Sequence, residues 1–274
     1  MEWRNIYRGM MMGASDVVPG VSGGTIALVL GIYDQLIVSI NGLFTKDWRK
    51  HLGFLIPLGI GVVGAILLLA RAIEWLFDHY PKPTQFVFLG LILGILPYLF
   101  RKSEAKVNFK LAHYLLLLVA TILAASLNFL HGDEAFVMTE VDITTYFYMF
   151  SSGFLASTAM ILPGISGSLI LLIIGTYGTV IHAVNELHID ILIAVALGIG
   201  LGILTMSKII KYFLTHYTHA TYATVIGLVI GSIVVIFPGW PITRFELILS
   251  VGAFSLGLAI AYLLGRLEYK EVIK

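Results

Sequence analysis

The sequence predicts an all-α polytopic membrane protein, an inverted-topology repeat of two five-segment halves. Each half is expected to hold one re-entrant broken-helix hairpin and three transmembrane helices. Three observations carry this expectation. The chain is too apolar for a soluble domain, it is internally duplicated, and each copy places Pro-Gly-x-Ser-Gly between two short hydrophobic runs.

Of the 274 residues, 58% are hydrophobic and 12% charged, and the mean hydropathy is +0.94. A soluble domain uses about 25% charged residues to cover its surface. Runs at 52–70, 86–100, 111–130 and 247–264 are nearly free of charge and approach the ~20 residues that cross a bilayer as helix. The 28 glycines suit helices that pack closely or break. With no cysteine, disulfides, thiolate metal sites and cysteine nucleophiles are excluded, and no metal or cofactor is predicted. A net charge of +1 offers no basis for nucleic-acid binding. The N-terminal stretch carries Asp16 in its apolar part and no convincing cleavage site, so it reads as retained structure rather than a signal peptide.

The duplication is specific. A shift of 144 residues pairs Pro19–Ile37 with Pro163–Ile181, with 9 identities in 19 positions, among them Pro19/Pro163, Gly20/Gly164, Ser22/Ser166, Gly23/Gly167, Gly31/Gly175 and Tyr33/Tyr177. A shift of 137 then aligns Arg71 with Lys208, His79-Tyr80 with His216-Tyr217, and Gly90 and Gly94 with Gly227 and Gly231. The expected halves are 1–135 and 136–274.

In the first half the apolar segments are 5–18, 24–40, 52–77, 84–100 and 111–130; in the second they are 144–162, 166–183, 190–214, 221–238 and 245–265. The two that flank each motif number about 14–17 residues, or roughly 21–26 Å of helix against a ~30 Å hydrocarbon core. They share no polar loop, so each pair, 5–40 and 144–183, reads as a hairpin whose tip lies inside the membrane. Tilted full spans in a thinned bilayer are the alternative.

Charge orients the segments. Loops at 1–8, 45–51, 101–110, 208–211 and 266–274 carry 14 of the 17 Lys and Arg, while the remaining connections hold only Lys82 and Arg244. Both termini are therefore expected on the cytoplasmic side. An odd number of crossings per half then turns the halves opposite ways.

The motif has a physical rationale. Non-helical backbone at membrane depth is tolerated only where protein buries it or it lines a polar cavity. Proline ends one half-helix and glycine permits the reversal. The next half-helix opens with Ser22-Gly23-Gly24-Thr25 in one copy and Ser166-Gly167-Ser168 in the other. Such a start has unpaired N–H groups and a partial positive charge, and small residues let an anion reach the backbone. Two such ends brought in from opposite faces are the pattern of transporters built on broken helices. The plainer reading is a pair of helix-packing turns.

Other polar residues are weighed individually. Arg71 and Glu74 lie three apart on one helical face, as a self-satisfied pair or as a phosphate contact by Arg71, with Lys208 in the equivalent place. Asp16, three residues before Pro19, is a candidate to carry a proton or pair with a cation, and equally a structural acceptor; its counterpart is Met160. Asp16, Glu74 and Lys208 are thus the candidates for coupling or gating.

"SDVVPGVSGGT" (Ser15–Thr25), "LGIYDQLI" (Leu30–Ile37) and "MILPGISGSLILLIIGTY" (Met160–Tyr177) together resemble the bacterial PopT-type family, once a domain of unknown function. The resemblance covers essentially the whole chain. It implies translocation of undecaprenyl phosphate across the bacterial cytoplasmic membrane, so that the lipid carrier is reused in cell-envelope synthesis. Its lipid partner would be that polyprenyl phosphate, and the residues themselves supply only an inverted-repeat transporter with an anion site. One rival is a small-anion channel or exchanger with broken-helix loops. Another is an intramembrane protease using Ser22 or Ser166, which lacks a histidine mid-span to serve as base and has no use for a duplicated nucleophile. No catalytic residue is assigned.

Overall fold

The computed structural model describes residues 2–16, 22–130, 137–138 and 142–272, without the side chains of 70, 74 and 265–272. Pro19 and Gly20 of the first motif, most of the acidic loop after 130, and the side chain of Glu74 lie outside the described residues. All regular structure among the described residues is helical. The order is α1 (Asn5–Asp16), α2 (Gly23–Val29), α3 (Tyr33–Gly42), α4 (Trp48–His79), α5 (Pro81–Lys102), α6 (Ala105–Asn108) and α7 (Leu111–Ser126). It continues with α8 (Ile143–Ile161), α9 (Gly167–Ile174), α10 (Tyr177–Asn185), α11 (Ile189–His216), α12 (Thr218–Ile236) and α13 (Arg244–Val272).

Six of these (α4, α5, α7, α11, α12 and α13) are long and apolar enough to cross a membrane. Large apolar side chains such as Leu67, Leu123 and Ile248 stand on their outer faces, where water would penalise them and hydrocarbon does not. The chain is a multi-pass helical membrane protein.

The expected segments 24–40 and 166–183 are each two helices rather than one. α2 and α3 meet at 119°, α9 and α10 at 109°. Both elbows are Schellman motifs. Ile32 N–H donates to Ala27 O and Gly31 N–H to Leu28 O, and Thr176 N–H and Gly175 N–H repeat this with Leu171 O and Leu172 O, all at 2.9 Å. The motif needs a left-handed residue, supplied by Gly31 (φ 70°) and Gly175 (φ 80°).

Four helix pairs dominate the packing: α1 with α4, α8 with α11, α5 with α13, and α7 with α12. Each pair places glycine against a partner carbonyl. A Cβ at Gly61 would stand 2.0 Å from Ile6 O, at Gly198 2.0 Å from Phe150 O, at Gly257 2.0 Å from Val87 O, and at Gly227 2.3 Å from Leu117 O. Residue numbers rise together along each contact, as in Gly227 on Leu117 and Gly231 on Thr121, so the paired helices run parallel. Tyr80, the single residue between α4 and α5, and Tyr217, between α11 and α12, share a backbone conformation (φ −137°, ψ 54°; φ −134°, ψ 48°).

The largest core cluster gathers α2, α5 and α12, with Ile26, Ile92, Ile95 and Ile226 almost wholly buried. α2 is enclosed along its entire length: all seven residues are buried. Where α8 begins, outside the spanning segments, Asp142 caps the helix. Thr144 Oγ1 donates to its carboxylate at 2.7 Å and Thr145 N–H at 2.8 Å. These bonds hold its pKa down to about 2, so this cap stays charged through the ordinary carboxylate range and is lost only as pH falls through about 2.

Close packing through glycine gives a sharp test on neighbouring residues of α11. Gly198→Ala forces a Cβ into the Phe150 carbonyl, whereas nothing lies within 4 Å of a Cβ at Gly200. Overpacking of this kind costs about 1–3 kcal/mol, while an open helical Gly→Ala gains up to ~1 kcal/mol. Thermal unfolding in detergent should therefore fall for Gly198→Ala and stay level or rise for Gly200→Ala. Equal melting temperatures for the two variants would refute the packing register.

Candidate functional site

Of the expected site residues at the hairpin tips, Ser22, Gly23 and Thr25 form a polar cluster with Asp16, while Ser166 and Ser168 pair with each other. Ser22 is the N-cap of α2, its Oγ accepting Thr25 N–H at 3.2 Å and lying 3.0 Å from Thr25 Oγ1. Asp16, at the end of α1, accepts Gly23 N–H at 2.6 Å. The carboxylate therefore sits where an external anion was expected, at the start of α2. Serine and aspartate at a helix start satisfy N–H groups that have no partner within the helix.

The other hairpin reaches the same place. Gly164 N–H donates to Thr25 Oγ1 at 2.8 Å, and Tyr33 OH donates to Ile161 O at 3.2 Å. A Cβ on Gly24 would stand 3.1 Å from both Met160 O and Ile161 O. The carbonyl end of α8 thus faces the N–H end of α2, which opposes two helix dipoles favourably.

The second tip is built differently. Ser166 makes no side-chain cap bond to α9, and its Oγ pairs with Ser168 Oγ at 2.8 Å. The position equivalent to Asp16 is Met160, whose Cβ and Sδ lie 3.3 and 3.5 Å from a Cβ built on Gly167. A thioether is a weak acceptor and cannot replace the carboxylate. None of the eight α9 residues is buried. Neither Ser22 nor Ser166 has a histidine as hydrogen-bond partner among the described residues.

The expected cations stand apart from the tips. Gly13 packs on Val62, so Asp16 comes level with about Ala65, inside the uncharged stretch 52–70. Arg71 lies roughly 9 Å further along α4, on its exposed side, and Lys208 is likewise exposed on α11. No polar contact joins either of them to Ser22, Thr25, Ser166 or Ser168 among the described residues.

A second polar cluster escaped the sequence reading. Lys102, at the end of α5, donates to Asp34 Oδ2 on α3 at 2.6 Å, and Tyr222 OH of α12 donates to the same oxygen at 2.9 Å. The ammonium also lies over the rings of Tyr98 and Tyr222. Asp34 belongs to "LGIYDQLI", but its partners are 68 and 188 residues away, and no spacing rule links them. The usable signal was the pair Asp34/Gly178, an acid in one copy and a glycine in the other.

Away from both clusters, a groove of about 460 Å³ runs between α4, α5 and α13. Ile73, Leu76, Val87, Phe88, Leu249 and Ala253 line it with hydrocarbon.

The two tip glycines therefore differ, although the repeat alone predicts that they behave alike. A Cβ at Gly23 meets the Asp16 carboxylate oxygens at 2.9 and 3.0 Å, whereas one at Gly167 meets Ala156 O at 3.2 Å and the adaptable Met160 chain. Gly23→Val should lower folded yield and thermal stability more than Gly167→Val. Ser22→Ala should cost about 1 kcal/mol as a lost cap, and Ser166→Ala less. Unfolding of the four purified variants checks this order, and a larger loss on the Ser166/Gly167 side would overturn it.

Comparison with known proteins bears on what such a chain does. Residues 12–255 match the model of a family described as undecaprenyl phosphate translocase-like. A polyprenyl-phosphate transporter of Staphylococcus aureus (strain NCTC 8325 / PS 47) is 41% identical across 97% of both chains. A polyprenyl-phosphate transporter of Vibrio cholerae serotype O1 (strain ATCC 39315 / El Tor Inaba N16961) is 39% identical over 87% of this chain and 79% of its own. No solved structure matches. With a family match over most of its length and relatives of this closeness, the chain belongs to the undecaprenyl phosphate translocase-like family.

Proposed function

We propose that this protein carries undecaprenyl phosphate across the bacterial cytoplasmic membrane, returning the lipid carrier for cell-envelope synthesis. The observation that carries the site assignment is the contact between the two motifs, Gly164 N–H to Thr25 Oγ1 at 2.8 Å. It supports a single polar site shared by the two tips, beside the apolar part of α4. A phosphate cannot enter hydrocarbon unaided, so only the head group needs shelter, and the prenyl tail can stay in lipid or lie along the α4–α5–α13 groove.

On this reading the phosphate is held by Ser22, Gly23, Gly24 and Thr25 and by Ser166, Gly167 and Ser168. Arg71 meets it on approach, because an exposed guanidinium next to a span favours a lipid phosphate. Asp16 blocks the first tip by occupying Gly23 N–H. Its neutralisation by a proton, or its capture by a cation, would free that donor, which makes Asp16 the leading coupling candidate, with Glu74 and Lys208 as secondary gating groups.

We further propose two inverted halves, 1–135 and 136–274, with both termini cytoplasmic. Support comes from the parallel pairs: α7 runs with α12 and α5 with α13. If each short connection reverses the chain, α4 and α11 then point opposite ways. No covalent step is assigned, since the relatives are named as transporters.

Reconstitution into liposomes tests the function. Leaflet exchange of undecaprenyl phosphate should accompany the protein, with no flux of chloride or inorganic phosphate. Thr25→Val, which leaves Gly164 N–H unpaired at a cost of about 1–3 kcal/mol, should slow exchange by at least severalfold, and Thr25→Ser should retain it. Small-anion flux without lipid exchange would instead favour the channel reading.

A further inference from the structure

The two hairpins are related in sequence but held unequally. Directly after the first elbow, Tyr33 bonds to the end of α8 and Asp34 bonds to both α5 and α12. The hairpin is thereby tied to three helices by two consecutive side chains. The same offsets place Gly178 opposite Asp34, Gly239 opposite Lys102 and Gln85 opposite Tyr222. The second elbow therefore lacks that charged tie and is held by neutral bonds alone among the described residues, from Tyr148 OH to Ile174 O at 2.9 Å and from Met138 N–H to Thr179 Oγ1 at 3.0 Å. The packing agrees with the chemistry: every residue of α2 is buried and none of α9 is.

We propose that Asp34, Lys102 and Tyr222 are positioning residues that latch the first hairpin to the helix core, so that the second hairpin, α9–α10, is the arm that moves during transport. The inference rests on the lipid-transport reading, to which it adds a division between a fixed half-site and a moving one. The latch is not fully satisfied, and the Asp34 side chain as a whole is 41% exposed. Asp34 Oδ2 receives two donors, while Oδ1 is buried with no hydrogen-bond partner. A carboxylate desolvated on one side is stabilised only while its cation stays in place. Removing Lys102 should therefore release the hairpin rather than merely weaken it.

The absence of cysteine makes the test direct, because engineered pairs carry no background label. Spin labels at Val38→Cys on α3 and Val184→Cys on α10, both exposed, are each paired with Leu123→Cys on α7. Distances are measured in liposomes with and without undecaprenyl phosphate, and exchange of that lipid is followed in parallel. The expected result is a lipid-induced shift of the α10 distance with the α3 distance unchanged. Asp34→Asn or Lys102→Met should broaden the α3 distance and change the exchange rate by at least fivefold. The reversed pair Asp34→Lys with Lys102→Asp should restore a narrow α3 distance, which a general loss of stability would not do. Equal movement of both hairpins in the parent protein, or an α3 distance unmoved by Lys102→Met, would overturn the latch while leaving lipid transport intact. Failure of the parent protein to exchange the lipid would overturn the transport reading and the latch with it.

Discussion

A helix that ends within hydrocarbon brings open N–H and C=O groups to a place where water cannot reach them, and each unpaired group costs several kcal/mol. The centre of this protein is arranged around that constraint. α2 is only seven residues long and starts beside the apolar stretch of α4, yet Asp16, Ser22 and the carbonyl end of α8 all converge on its start. At its other end the Schellman turn returns two N–H groups to Ala27 and Leu28. Tyr33 and Thr25 then serve the backbone of the opposite hairpin. Polar side chains around the start of α2 are therefore tied to backbone ends.

This explains why the pair of motifs is similar in sequence but dissimilar in circumstance. The carboxylate of Asp16 gives α2 an internal anion, and Met160 gives α9 none. The helix with an internal anion is buried throughout; the one without is accompanied at its start by hydroxyls such as Ser166 and Ser168. Two stretches alike in sequence thus differ in what surrounds them.

Much of the architecture was legible because it depends on local chemistry. The long spans followed from charge-free runs, and the break at the second motif followed from Pro163 with small residues after it. The second break in each hairpin was missed, although Gly31 and Gly175 had been noted as repeated residues. A single glycine within an apolar run is compatible with continuous helix, and only its positive φ reveals the turn. At the first tip the residue types were legible, but the partner of Asp16 was not. Nothing in the run 15–25 says that Asp16 folds back onto Gly23 across the reversal. The Asp34–Lys102–Tyr222 group was invisible for a different reason: its members share neither a helix nor a repeat position, and only the tertiary fold joins them.

The exchange of partners among the long helices has a consequence for how the protein is made. α5 seats its Gly90 on Phe254 and α13 seats its Gly257 on Val87, so the mate of α5 leaves the ribosome long after α5 itself. Some 164 residues separate Gly90 from Phe254, which at 5–20 residues per second is roughly 10–30 s of synthesis. Throughout that interval the bare glycine face of α5 lies open to lipid or to the insertion machinery. α7 waits a shorter time for α12. Insertion can therefore be stepwise, but assembly is not: α5 is packed only when α13 arrives, and a chain cut short before α13 lacks the surface on which α5 is built to rest.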